Sequence, residues 1–73
     1  MEEEYKFYRY LNEKSILVIT TSNQLRRLNC PFIVKDKDDK INRVEAVASN
    51  EGNDILYRIN AQYLPYNEFK IIN

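Results

Sequence analysis

Histidine and tryptophan are absent from this 73-residue chain, which holds one cysteine, one methionine, one glycine and two prolines. Each scarcity excludes something. Without imidazole there is no Ser-His or Cys-His nucleophilic system, and the commonest general base and metal ligand are missing too. Cys30 alone forms no internal disulfide, which fits a reducing compartment, and it cannot build the Cys/His cluster that zinc requires. With Gly52 the only glycine, there is no glycine-rich loop to cradle a phosphate. The paucity of glycine and proline also argues against a linker or low-complexity segment. No long apolar run occurs. The stretch Ile16-Leu17-Val18-Ile19 is far short of the roughly 20 residues a membrane-spanning helix needs. The start, MEEEYKFYRY, is acidic where a secretory signal would be basic and then apolar. A cytoplasmic protein without membrane contact is expected, and no cofactor or metal.

Excess charge of either sign is lacking as well. Eleven basic residues balance 11 acidic ones, so there is no global field to attract nucleic acid or an anionic membrane, and little protection against self-association. What remains is ordinary globular material: 44% of residues are apolar and 30% charged. A chain of this length supports a single domain, residues 1–73, that buries roughly 60% of the surface exposed on unfolding.

Several short apolar segments alternate with polar turns. EYKFYRYL can be read as a strand or, with Glu2 to Glu4 favouring its N-terminal end, as a helix; its density of aromatics favours the pleated reading, with Tyr5 and Phe7 on one face and Tyr8 and Tyr10 on the other. NEKS suits a hairpin turn. SILVITT is β-branched and too short for a helix, and reads as a strand covered on both faces, the centre of a sheet. SNQLRRLN places Leu25 and Leu28 three apart behind a Ser22 or Asn23 cap, which predicts a short helix ending before Pro31. PFIVK, RVEAVAS, ILYRIN and EFKII are further strands, separated by the polar turn DKDDK and by NEGND. In RVEAVAS the alternation sets Val44, Ala46 and Ala48 against Arg43, Glu45 and Val47; in ILYRIN it points Ile55, Tyr57 and Ile59 inward. AQYLPYN must turn a corner, because Pro65 cannot donate to a ladder, and a single 3₁₀ turn accomplishes it.

These segments imply a mainly β domain of five to six strands with one short helix. The hairpin, the turn around AQYLPYN and the closing EFKII strand resemble the C-terminal half of SH3-like barrels, over about residues 42–72. The resemblance implies a small, partly open barrel. In peptide-binding SH3 domains an aromatic and a proline near that turn line a groove, and Tyr63, Pro65 and Tyr66 are the matching positions here. The tryptophan floor of that groove has no counterpart, so proline-peptide binding is not carried over.

The acidic turn DKDDKINRVEAV fails as a calcium loop. With Asp36 first, Lys40, Ile41 and Val47 fall where a ligand, a glycine and a bidentate glutamate are needed. The remaining carboxylates sit in the tail and turns, where no cleft pairs them, and Cys30 lies past the end of the expected helix, where it reads as a small buried apolar residue. Enzymatic activity is not expected. The tyrosines are the best candidates for a contact surface, since they join apolar area to a polar tip. Tyr8, Tyr10, Tyr63 and Tyr66 are the candidate binding residues, with Leu56 and Ile72 on outer faces. The expectation is a protein-interaction module, self-associating through exposed tyrosines and a sheet edge. One alternative is a single-stranded nucleic-acid binder, with Arg26 and Arg27 beside the aromatics; another is a structural subunit of a larger complex.

Overall fold

The computed structural model describes residues 4–50 and 54–72. It is mainly β, with three small antiparallel sheets and, among the described residues, no closed barrel. The first sheet contains β1 (Tyr5–Asn12), β2 (Ser15–Thr20) and β3 (Leu25–Asn29), with β2 in the centre. The second contains β4 (Phe32–Lys35) between β5 (Ile41–Val44) and β9 (Lys70–Ile72). The third is β6 (Ala46–Ser49), β7 (Ile55–Ile59) and β8 (Gln62–Pro65), in that order. A 3₁₀ turn, Tyr66–Glu68, delivers the chain to β9 as expected. Pro65 does not interrupt the ladder before it, since Gln62–Pro65 is a strand whose last residue pairs with Leu56, a strand end being a place where a missing N–H is tolerated.

Turn chemistry sets the registers. Glu13 and Lys14 link β1 to β2, and the Asn12 side chain accepts the Lys14 N–H at 2.8 Å. Asn60 and Ala61 both have positive φ (52° and 64°), the mirror-image turn that matches strand twist, and they join β7 to β8. This hairpin is not marked by any glycine in the sequence. Gly52 lies outside the described residues.

The predicted helix in SNQLRRLN is a turn and a strand. Asn23 takes φ 67°, its N–H bonds the Thr20 carbonyl at 2.9 Å, and Thr20 Oγ1 accepts the Gln24 N–H at 3.0 Å. Leu25 to Asn29 then pair along β2. A helix of two turns has too few internal hydrogen bonds to stand alone, whereas the free edge of β2 satisfies the backbone at once. As a strand, the two leucines part company: Leu25 pairs with Ile19, Leu28 with Ile16.

RVEAVAS is also divided. Val44 pairs with Phe32 in the second sheet and Ala46 with Arg58 in the third, so the chain changes sheets at Glu45. That break resets the alternation. Val47, which strict alternation sets opposite Val44 and Ala46, pairs with Tyr57 and is buried alongside them.

All three sheets contribute to one core. Ile16 and Val18 come from the first, Phe32, Val34, Val44 and Ile71 from the second, and Val47, Ile55, Tyr57 and Ile59 from the third. Phe32 meets Tyr57 edge to face at 5.4 Å, a geometry the ring quadrupoles favour. The β1–β2 hairpin tip ties the sheets together. The Glu13 carbonyl accepts from Val47 N (2.8 Å), the Lys14 carbonyl from Cys30 N (2.7 Å), and Lys14 Nζ donates to the Glu45 carbonyl (3.1 Å). No helix among the described residues is long and apolar enough to cross a membrane.

Candidate functional site

The candidate surface is the outer face of the first sheet. Directly paired residues on neighbouring strands share a face. Phe7, Ile19 and Leu25 therefore form one row across β1, β2 and β3, and Arg9, Leu17 and Arg27 form the next. Ser15, with Asn12 and Asn29, makes a third, polar row. The residues between these, Ile16 and Val18, are fully buried and point into the core. The first two rows are open: Phe7 is 47% and Leu25 64% exposed, with Ile19 and Leu17 half-buried between them, whereas Ser15 at the centre of the third is buried. The Arg27 guanidinium reaches back to the Ser15 hydroxyl, Nη2 to Oγ 3.4 Å, and so lies along the sheet. The result is an apolar band, one aromatic ring wide at its β1 end, bordered by two cations. No carboxylate belongs to these rows.

A β-bulge orients this face. The pairing slips between Tyr5 and Phe7, so Tyr5 pairs with Thr20 while Phe7 pairs with Ile19. One extra residue reverses which side chains face the core. Tyr5, expected beside Phe7, turns inward, and Phe7 turns out. Tyr8, expected outside, pairs with buried Val18 and lies half-buried on the core side.

The candidate residues read from the sequence do not form one surface. Tyr8 stacks on Tyr66 (4.8 Å, tilted) and meets Tyr5 edge-on at 6.0 Å. These three rings close the end of the core between the first sheet and the 3₁₀ turn. Burial, then the neighbouring Tyr5, Tyr66 and Glu4, push the Tyr8 phenol up to about 12. Tyr57 is also pushed up, chiefly by burial. Tyr10 pairs with Ile16, on the core side of β1, yet stays 36% exposed as expected, away from the outer rows. Tyr63 stands exposed on β8 opposite Arg58, in another sheet. Arg26 pairs with Val18, on the core side of an edge strand, and Arg27 alone joins the outer apolar rows. Leu56 and Ile72 occupy outer faces of the third and second sheets, opposite Ala48 and Ile33. Phe7, Leu17, Ile19 and Leu25 were not marked by the sequence reading. The signal that could have found them is LRRL read at period two rather than as a helical pair.

Elsewhere the chemistry is structural. One Asp36 carboxylate oxygen accepts the N–H of Asp38 and of Lys40, each at 2.9 Å, and Asn42 Nδ2 lies 3.5 Å from the other. These bonds, the Lys40 one foremost, hold that carboxyl below its usual range. The acidic turn thus uses its first aspartate to close itself. Among the described residues no group of three or more metal-ligating side chains converges. Cys30 is half-buried, its thiol pushed up by burial against the opposing pull of Lys14. It lines a hollow of about 360 Å³ with Lys14, Arg43, Glu45 and Arg58, where the sheets meet. No family model matches this chain, nor does any curated protein or solved structure.

Proposed function

We propose that this chain is a non-enzymatic protein-interaction module whose contact surface is the outer face of β1, β2 and β3. One observation carries the reading: the contiguous apolar band Phe7–Ile19–Leu25 with Leu17 is left uncovered among the described residues. Scattered exposed apolar side chains are normal, but a continuous patch on a monomer marks a contact. The aromatic and the two arginines suit the middle of a protein interface, where Phe and Arg are enriched and acids depleted. The second sheet offers a poorer surface, because Lys35 and Lys70 pair beside Ile41 and Arg43 beside Ile33. The SH3-like comparison enters only through the C-terminal hairpin, 3₁₀ turn and closing strand, and the module is taken to act as one domain in the cytoplasm.

The test is affinity capture from the native cell with the wild-type chain and with Leu25→Glu. A protein partner retained by the first and lost from the second, with melting temperatures matching within a few degrees, supports the reading. The rival, single-stranded nucleic acid stacking on Phe7 beside Arg9 and Arg27, predicts nuclease-sensitive capture that weakens steeply with salt.

A further inference from the structure

We propose that the occupant of this face is a second copy of the chain, stacked sheet on sheet about a twofold axis that runs across the strands between the two outer rows. The proposal rests on the protein-contact reading above and names its partner. The rows themselves select the geometry. One is wholly apolar, Phe7–Ile19–Leu25; the next, Arg9–Leu17–Arg27, is apolar at its centre and cationic at both ends. Two residues along a strand, about 7 Å, separate them.

Face-to-face sheets pack with strands nearly aligned, about 10 Å apart. Two in-plane twofolds satisfy that. An axis parallel to the strands lays β1 over the copy's β3 and keeps each row over itself, so Arg9 meets the copy's Arg27 and like charges are driven together. An axis across the strands lays β1 over β1 and exchanges the rows. Arg9 then covers the copy's Phe7, Leu17 meets Ile19, and Arg27 covers Leu25, each contact made twice as an isologous interface requires. Arg9 over a phenylalanine face is a favourable cation–π arrangement, and the alkyl stem of Arg27 covers leucine while its head reaches water. The face is therefore self-complementary in one orientation and repulsive in the other. With a chain net charge of zero, no global repulsion opposes pairing. Two rows of three side chains are few beside the roughly 20–30 residues a side of a standard interface, so the dimer is a weak one, dissociating in the range of about 0.1 mM.

Sedimentation equilibrium of the purified chain up to about 1 mM tests the stoichiometry. Reversible monomer–dimer behaviour is expected, weakened about tenfold or more by Leu25→Glu and by Phe7→Ala with the melting temperature held. A strict monomer overturns the proposal, as does a dimer indifferent to both substitutions. Cross-linking tests the axis. In a Cys30→Ala background, Leu25→Cys and Arg27→Cys chains are mixed and treated with a short bis-maleimide. Joining of unlike chains is expected, and preferential joining of Leu25→Cys to Phe7→Cys overturns the row-exchanging twofold. Failure here differs from failure of the broader reading. A monomer whose Leu25→Glu form still loses a captured protein has the right face and a different partner, whereas capture indifferent to Leu25→Glu removes the face itself.

Discussion

The two faces of the first sheet are built from the same strands, one residue apart, and both are rich in apolar side chains. Ile16 and Val18 are fully buried; Leu17 and Ile19, their immediate neighbours on β2, are half-buried beside Phe7, Leu25 and two arginines, near the Lys6 side chain that reaches Asn23. Side-chain type does not distinguish the faces. What does is what lies opposite: Val47 and Tyr57 of the third sheet pack with Ile16 and Val18 in one core cluster, and no described element covers the other side. Hydrophobicity drives an apolar residue to be covered, and it is the topology that determines whether this chain supplies the cover or leaves it to a partner.

Substitutions on adjacent residues of β2 press hardest on this contrast. Ile16→Ala is expected to cost about 2–5 kcal/mol in chemical denaturation, the price of a cavity in a packed core. Val18→Thr should cost about 1–3 kcal/mol, because it buries a hydroxyl without a designed partner. Ile19→Thr, one position on, should cost less than either. If Ile19→Thr proves as damaging as Val18→Thr, the outer face is covered in the isolated chain and the distinction collapses.

Alkaline titration probes the inner face alone. The Tyr8 phenol titrates at about 12 in the fold against an ordinary value of 10.0. A raised phenol pKa means the folded state holds its proton longer than the unfolded one. The stability this contributes is complete below about pH 10 and is lost as pH rises from there through about 12. Tyr8→Phe is therefore expected to move the alkaline unfolding midpoint upward, followed by circular dichroism. An unchanged midpoint would mean that Tyr8 is hydrated in the folded state. The smallest effect belongs outside: Leu25→Ser should change stability by no more than about 0.5 kcal/mol in denaturant melts.

The elements that could be read in advance are those whose local pattern has only one physical solution. SILVIT is too short and too β-branched for a helix, and it became the central strand of its sheet. ILYRI alternates cleanly, and its Ile55, Tyr57 and Ile59 are buried as its period demands. The corner expected within AQYLPYN is made by the 3₁₀ turn that follows Pro65, although the residues before it form a strand. The misreadings fall where a local pattern had two solutions. LRRL fits a helical stripe or a strand, and the edge of β2 decided for the strand. YKFYRY alternates well enough, but a bulge between Tyr5 and Phe7 leaves no mark in composition, and it inverted the faces. The candidate site was lost with those two, since its outermost row joins Phe7 to Leu25.

Residue content and order by themselves determined a great deal: strands at SILVIT and ILYRI, turns at NEKS and DKDDK, and the absence of imidazole chemistry. Those follow from covalent structure and from side-chain preferences acting over a few residues. Which face of β1, β2 and β3 is interior was decided only when the third sheet docked on one side of them. That choice depends on pairings between residues far apart in the chain, and a slip of one position exchanges every side chain between core and solvent.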